Sequence, residues 1–253
     1  MPLASSMEMA PRCELPPHPT VAFIGDSITK GNTSFFNGGV DGPASWSSPV
    51  GCWPCELAMQ HGVRAVNLGV WGSPVLAKTS TAGPRTAPPY INLLYRDKIT
   101  PTATADAVLI MLGTNDARVP TADVDAHFIE DYSAIVRAVV ARRHNSSRCI
   151  WALVPPATHK EAYGLRVADV AALEARVRQA ARLTRIGVID VRAPLECDWR
   201  GSFGIDGSSP AGDGVHPTAL GMRRIADAVW ERLRPHVRPE RRRLAERGER
   251  FRI

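Results

Sequence analysis

Residues 20–29 read Thr-Val-Ala-Phe-Ile-Gly-Asp-Ser-Ile-Thr, an apolar run that ends in a glycine and a group of polar side chains. The run from Thr20 to Ile24 is typical of a strand that is buried on both faces, because it is rich in β-branched and aliphatic residues. The same kind of segment recurs four times along the chain: Arg64 to Leu68, Ala107 to Leu112, Arg148 to Val154 and Gly187 to Val191.

Stretches with helical periodicity separate the later strands. From Thr121 to His144 and from Val167 to Leu183, apolar side chains return at three- and four-residue steps. A third such stretch follows Pro217, which we expect to be the first residue of the last helix. Strands that alternate with helices favour right-handed crossovers and a parallel sheet with helices on both faces. The pattern therefore predicts a three-layer α/β/α sandwich.

Length and composition favour one globular domain. The chain has 253 residues, of which 44% are hydrophobic and 22% charged, enough for one large core. We place this domain at residues 20–233, between an N-terminal extension (1–19) and an Arg-rich tail (234–253). The longest apolar run, Ala107 to Leu112, is far shorter than the ~18 to 20 residues of a transmembrane helix. The proline-containing start does not have the form of a secretory signal, so we expect a chain that is either intracellular, which favours the cytoplasm, or numbered after processing.

Charge is concentrated at the C-terminus. Residues 231–253 hold nine Arg and four Glu, whereas the preceding 230 residues are nearly neutral. A run such as Arg241 to Arg243 can attract nucleic acid or an anionic membrane. Glutamates are interleaved with these arginines and no aromatic platform accompanies them, so we interpret the tail as a solvated terminal segment. No nucleic-acid partner is expected.

The five cysteines are an odd number without framework spacing, so we expect a fold that is not built on disulfides. At least one thiol should stay free, unless it pairs between chains. Cys52 and Cys55 have Cys-x-x-Cys spacing, but they follow a long loop rather than the first strand of a thioredoxin-like unit. Whether they form a disulfide stays open. The histidines show no zinc-ligand spacing with the cysteines, and no phosphate-binding loop occurs, so neither a metal nor a cofactor is expected.

Four polar motifs follow predicted strands or precede the last helix. They are Gly25-Asp26-Ser27, the stretch Asn67 to Ser73 with Gly72, Gly113-Thr114-Asn115-Asp116, and Asp213-Gly214-Val215-His216. Ligands bind beyond the carboxyl ends of parallel strands, where such side chains would meet. Each motif also has a structural interpretation: an Asp-Ser helix cap, a tight turn at Gly72, or a helix cap at Asn115. The three-residue step lets Asp213 hold one ring nitrogen of His216 while the other faces a nucleophile.

In this order, from residue 25 to residue 216, the motifs resemble those of the SGNH hydrolase superfamily, the GDSL-like esterases and lipases. The resemblance implies a flavodoxin-like, five-stranded parallel sheet and a serine esterase that needs no cofactor. It implies that Ser27 is the nucleophile and that His216 is a base oriented by Asp213. Oxyanion donors would be Ser27, Gly72 and Asn115. Ile28 stands where the family has Leu, and we expect it to pack beneath the turn.

The residues in and around the motifs indicate one branch of the superfamily. Asn67 to Val75, Ile110 to Asp116 and Pro155-Pro156 are similar to the carbohydrate or sialate O-acetylesterase branch. This similarity predicts hydrolysis of short-acyl esters, acetyl above all, of a small molecule or carbohydrate. A lysophospholipase or thioesterase acting on lipid, and a non-catalytic carbohydrate-binding member, remain alternatives.

Two loop features complete the predictions. The stretch Ser34 to Trp53 carries Phe35, Phe36, Trp46 and Trp53, and we expect these aromatics to rim the pocket, which suits either a sugar or an acyl chain. His159 is expected to be a solvent-exposed loop residue without a substrate contact. The sequence does not indicate an oligomeric state.

Overall fold

The computed structural model describes residues 13–31, 52–77, 99–119, 121–143, 149–204 and 213–239. In these ranges five parallel strands form one sheet in the order β2-β1-β3-β4-β5, the flavodoxin-like order. The strands are β1 (Thr20–Gly25), β2 (Arg64–Asn67), β3 (Ala107–Met111), β4 (Ile150–Val154) and β5 (Gly187–Asp190). The predicted α/β architecture and the positions of all five strands are confirmed.

The two edge strands are less buried than predicted: two of the four residues of β5 are half-buried, and β2 differs more. β2 was expected to be buried on both faces, but three of its four residues are exposed and the fourth is half-buried. The reason is its place in the sheet: β2 lies at the edge of the described sheet and pairs only with β1, so one of its two long sides has no neighbouring strand. Sequence pattern does not reveal which strands lie at the edges.

The described helices lie on both faces of the sheet. They are α1 (Ser27–Lys30), α2 (Trp53–His61), α3 (Thr121–Arg142), α4 (Val167–Thr184), α5 (Ala193–Glu196), α6 (Trp199–Phe203) and α7 (Ala219–Leu233). No helix in the described ranges is long and apolar enough to cross a membrane.

Alternate residues of the central strands feed two apolar cores. On β3, Val108 and Ile110 pack with α3 and α4, whereas Leu109 and Met111 pack with α2 and α7. This alternation follows from the two-residue period of a strand, and it makes the sheet the middle layer of a sandwich. Long helices α3 and α4 begin and end within two residues of their predicted bounds.

The last helix begins later than predicted. Pro217 was expected to be its first residue, but α7 starts at Ala219. Thr218 is its N-cap, and the Thr218 hydroxyl accepts a hydrogen bond from the backbone N–H of Gly221 at 3.2 Å. A threonine side chain can satisfy a free N–H at a helix start and a proline cannot, so the cap sets the boundary.

Two disulfides join described cysteines: Cys13 with Cys149, and Cys52 with Cys55. Cys197 is free and exposed, in keeping with the expected free thiol. The fold rests on its apolar cores, yet four of the five cysteines are paired. Spacing could not reveal Cys13 with Cys149, since 136 residues separate the two.

Candidate active site

The Gly25-Asp26-Ser27 motif forms the tight turn from β1 into α1. A Cβ on Gly25 would lie 2.0 Å from the Thr29 hydroxyl oxygen, so only glycine lets the helix start this close to the strand. The Asp26 carboxylate accepts a hydrogen bond from the backbone N–H of Ile28 at 2.9 Å and caps α1. Ile28 is buried beneath the turn, as expected. Ser27 is therefore presented at the carboxyl edge of the sheet.

Asp213, His216 and Ser27 form a continuous line of hydrogen bonds. The distance from Ser27 Oγ to His216 Nε2 is 2.9 Å, and that from His216 Nδ1 to Asp213 Oδ2 is 2.6 Å. The other carboxylate oxygen accepts the backbone N–H groups of Val215 and His216, each at 2.8 Å. Burial alone would raise the pKa of Asp213, but these hydrogen bonds and the charge of His216 lower it. Asp213 is thus held as a carboxylate against the imidazole.

Asn115 and the loop that carries Gly72 are both connected to the β1 turn. Gly72 has φ of 63°, in a turn closed by the Ser73 N–H bonding to the Val70 carbonyl. The Asn115 amide nitrogen lies 3.2 Å from Asp26 Oδ2 and 3.5 Å from the Ser73 carbonyl oxygen. One side chain thereby connects the β1 turn to the loop that carries Gly72. The four sequence motifs meet at one edge of the sheet.

Two buried carboxyl groups accept hydrogen bonds from the backbone of the turn and the loop that form the site. Burial raises the pKa of Asp26 to about 6, against the lowering effects of the Ile28 N–H and the His216 charge. Burial likewise raises the pKa of Asp116 to about 7, although the N–H groups of Val75 and Leu76 oppose it. Sequence reasoning gave Asp116 no role, because its partners lie forty residues away in a loop.

Tyr163 is a second residue that the sequence did not single out. Its hydroxyl donates a hydrogen bond to Asp213 Oδ2 at 3.0 Å, and its ring lies edge-on to His216 with centroids 5.7 Å apart. The available signal was its position in the loop that follows β4, beyond the carboxyl end of that strand. The amino-acid sequence of that loop contains no motif that indicates a role for this tyrosine.

Two loop predictions are wrong. Trp53 was expected to rim the pocket, but it is fully buried and packs edge-on against Phe23, because it opens α2 and faces the core. His159 was expected to be exposed, but it is half-buried, stacked on Trp199 with centroids 4.8 Å apart. Phe35, Phe36 and Trp46, like the Arg-rich tail beyond residue 239, lie outside the described residues.

No cluster of three or more metal-ligating side chains occurs within the described ranges. The residues at the sheet edge offer a hydroxyl, an imidazole, a carboxylate and several N–H donors. This set can take a proton from the Ser27 hydroxyl and can stabilise negative charge on a nearby oxygen.

Solved structures share this fold. The aryl esterase of M. smegmatis superposes with a TM-score of 0.63 at 18% identity, over 86% of this chain and 99% of that one. A carbohydrate acetylesterase family member from Sinorhizobium meliloti gives 0.58 at 19% identity, over 86% and 98%. The lipase/acylhydrolase of Enterococcus faecalis gives 0.59 at 16% identity, over 88% and 98%. Identities this low establish the fold alone.

The sequence itself matches a family model. No curated protein is similar enough in sequence to be matched. The model of the GDSL-like lipase/acylhydrolase family matches residues 23–224, most of the chain and all four motifs. The chain therefore belongs to the GDSL-like lipase/acylhydrolase family, and it is a carboxylic ester hydrolase.

Proposed function

We propose that the protein hydrolyses short-acyl esters, acetyl esters above all, of a small molecule or carbohydrate, through an acyl-Ser27 intermediate. The observation that carries the proposal is the hydrogen-bonded line from Ser27 through His216 to Asp213, with 2.9 Å between the Ser27 and His216 atoms. A serine hydroxyl is a weak nucleophile until a neighbouring base accepts its proton. His216 is within reach of that proton.

In the acylation step, Ser27 Oγ attacks the ester carbonyl carbon while His216 Nε2 takes the hydroxyl proton. The carbonyl π-electrons move onto oxygen and form a tetrahedral oxyanion. As this collapses, the bond from carbon to the alcohol oxygen breaks, and His216 gives its proton to the departing alcohol. Asp213 keeps the proton on Nδ1 in place and stabilises the imidazolium that forms between these events.

Deacylation repeats the sequence with water. His216 accepts a proton from water, whose oxygen attacks the acyl carbon. The bond to Ser27 Oγ then breaks, and the same proton returns to Ser27. The products are a carboxylic acid, the alcohol and the unmodified enzyme.

The oxyanion would be stabilised by the backbone N–H groups of Ser27 and Gly72 and by the Asn115 amide. The Asn115 amide nitrogen donates one hydrogen bond to Asp26, while the contact of the same nitrogen with the Ser73 carbonyl is long, at 3.5 Å. A developing oxyanion would be a stronger acceptor for the same amide nitrogen than this carbonyl. Donors that are already oriented cost no reorganisation during the reaction.

Support for an acetyl group comes from two sources. The motifs of this sequence are similar to those of the O-acetylesterase branch, and a carbohydrate acetylesterase family member shares the fold. A lipase/acylhydrolase shares it equally well, so lipid substrates form the second arm of the test.

The test is hydrolysis of p-nitrophenyl esters from acetate to palmitate, followed by an O-acetylated sugar. Turnover should peak at acetate and depend on Ser27. Ser27→Ala should lower kcat by a factor on the order of 10⁶, and Asn115→Ala by about 10² to 10³. A maximum at long chains would move the assignment to lipid. Wild-type turnover in Ser27→Ala would refute the mechanism, and no turnover on any ester would favour a binding role.

A further inference from the structure

The Tyr163 side chain lies across the Asp213–His216 pair. Its hydroxyl donates to Asp213 Oδ2 at 3.0 Å, the same oxygen that lies 2.6 Å from His216 Nδ1. The ring approaches the imidazole with its edge. Tyr163 is 58% exposed, so apolar burial alone does not explain why its polar end meets the carboxylate.

The loop that carries Tyr163 is anchored on both sides of it. Leu165 is buried in the core beside α3 and α4. Before Tyr163, the backbone N–H of His159 bonds to the Gly214 carbonyl at 2.9 Å, which ties this loop directly to the loop of Asp213 and His216. The His159 ring also packs on Trp199 and Phe203. The tyrosine is therefore delivered to the carboxylate by a fixed segment.

The backbone at Tyr163 is in the left-handed region, with φ of 55°. A residue with a Cβ is disfavoured there, and a bulky one especially so. Gly164, the next residue, also has positive φ and open space around it. A glycine at position 163 would relieve the strain, so the observed tyrosine points to a use for its side chain.

Among the described residues, the charged groups that interact with the pair or with Tyr163 include Asp26, whose charge acts on His216, and Arg118, whose charge acts on Tyr163. Burial, the Asp213 charge and the hydrogen bond to Asp213 raise the pKa of Tyr163 to about 12, although Arg118 opposes this. The phenol therefore keeps its proton throughout the neutral range and acts only as a donor.

We propose that Tyr163 is a positioning residue that orients the Asp213 carboxylate and sets how strongly it stabilises protonated His216. The inference rests on the proposed function of Ser27, His216 and Asp213. A carboxylate that accepts a further hydrogen bond holds its charge more tightly and attracts a proton on the imidazole less. Without the hydroxyl, Asp213 would stabilise the imidazolium more, so that His216 would stay protonated to higher pH.

The test is the pH profile of kcat/KM for p-nitrophenyl acetate in wild type, Tyr163→Phe and Tyr163→Ala. In Tyr163→Phe the acid limb should move to higher pH by about half a unit, a roughly three-fold change in proton affinity. Tyr163→Ala should move it less, because water can then donate a hydrogen bond to Asp213 in place of the hydroxyl, but it should lower the plateau, because water does not orient the carboxylate. Glu161→Asp, an exposed change in the same loop that keeps its charge, should leave the limb in place.

A second measurement does not depend on turnover. The proton between His216 Nδ1 and Asp213 gives a low-field NMR resonance, which should shift in Tyr163→Phe and not in Glu161→Asp. If turnover still depends on Ser27 but Tyr163→Phe changes neither the acid limb of the pH profile nor the resonance, the role of Tyr163 is overturned and the proposed function is not. Turnover that does not depend on Ser27 would instead refute the proposed function.

Discussion

Asp26 and Asp116 are two carboxyl groups buried within electrostatic range of each other beneath the candidate site. Asp26 accepts from Ile28 N and from the Asn115 amide, and Asp116 accepts from the N–H groups of Val75 and Leu76. Burial disfavours the charged form of each and raises both pKa values, whereas the N–H donors favour the charge. The fold therefore loses stability as pH rises from the ordinary pKa of these carboxyl groups to their raised pKa values, because they must then ionise while buried.

Asp116→Asn tests this cost through the pH dependence of unfolding. The folded pKa of Asp116, about 7, lies above the ordinary 3.8, so its contribution to stability is complete below pH 3.8 and is lost as pH rises through 7. The difference in unfolding free energy, wild type minus variant, should fall between about pH 4 and 7, by on the order of a few kcal/mol. Urea titrations at several pH values give the difference.

The unfolding free energies of wild type and variant must be compared, because other groups titrate in the same pH range and also change the stability. Burial lowers the pKa of His61 and of His159, so these two groups add stability as pH rises through the same window. They are present in both proteins and cancel in the difference. A difference that rises with pH would contradict the buried, raised-pKa state of Asp116.

At the scale of elements, the loop after β2 is held by other parts of the chain. Val70 N bonds to the Gly25 carbonyl at 2.9 Å, which aligns the loop with the end of β1. Asp116 then binds the backbone of Val75 and Leu76, and Asp131 on α3 binds that of Ala77 at 2.8 Å. The position of Gly72 between these anchors is thus set by side chains from outside the loop.

Asp116→Asn should also impair catalysis through this loop. Above pH 7, where Asp116 is ionised, the variant replaces one acceptor oxygen by an amide donor that faces N–H groups, so the loop and the Gly72 N–H move. Small misplacements of a reacting group lower rates steeply, and we expect kcat for p-nitrophenyl acetate to fall about ten- to hundred-fold. The matched control is Asp131→Asn, which among the described residues loosens Ala77, five residues beyond Gly72, and should have a smaller effect. Equal losses in both variants would argue against specific anchoring by Asp116.

At the scale of the molecule, the N-terminal and C-terminal described segments are joined. Leu15 pairs with Val237 in an isolated β-bridge, and its N–H bonds to the His236 carbonyl at 2.8 Å. Beside this bridge, the disulfide from Cys13 to Cys149 connects the same segment to the start of β4. The disulfide thereby cross-links the sheet to the segment that precedes β1.

Loss of the Cys13–Cys149 disulfide should destabilise the fold, because it closes a loop of 136 residues in the unfolded chain. Cys13→Ser should lower the unfolding free energy by about 2–5 kcal/mol, as seen from denaturant midpoints. The Cys52→Ser/Cys55→Ser double variant opens a loop of only three residues and should cost less. Cys197→Ser, at an exposed free thiol, should be neutral. A wild-type midpoint for Cys13→Ser would show that this bond does not form or does not matter.

Most of the fold was predictable because its signals are local. An uncharged aliphatic run such as Ala107 to Met111 determines a buried strand, and the three- to four-residue repeat of Thr121 to Arg142 determines a helix. The edge position of β2 and the start of α7 at Ala219 were not predictable to the same degree. The exposure of β2 depends on which strands become its neighbours, and the start of α7 depends on which residue caps the helix. The hydrophobic pattern contains neither kind of information.

By itself, the sequence determined the α/β class, the family and the residues that meet at the site, because motifs such as Gly25-Asp26-Ser27 lie where strands end. Only the tertiary structure decided their surroundings. It paired Cys13 with Cys149, turned Trp53 into the core and brought Tyr163 to Asp213 across fifty residues. The physical reason is range: periodicity and turn chemistry act between near neighbours, whereas a hydrogen bond between two loops exists only after the sheet has brought them together.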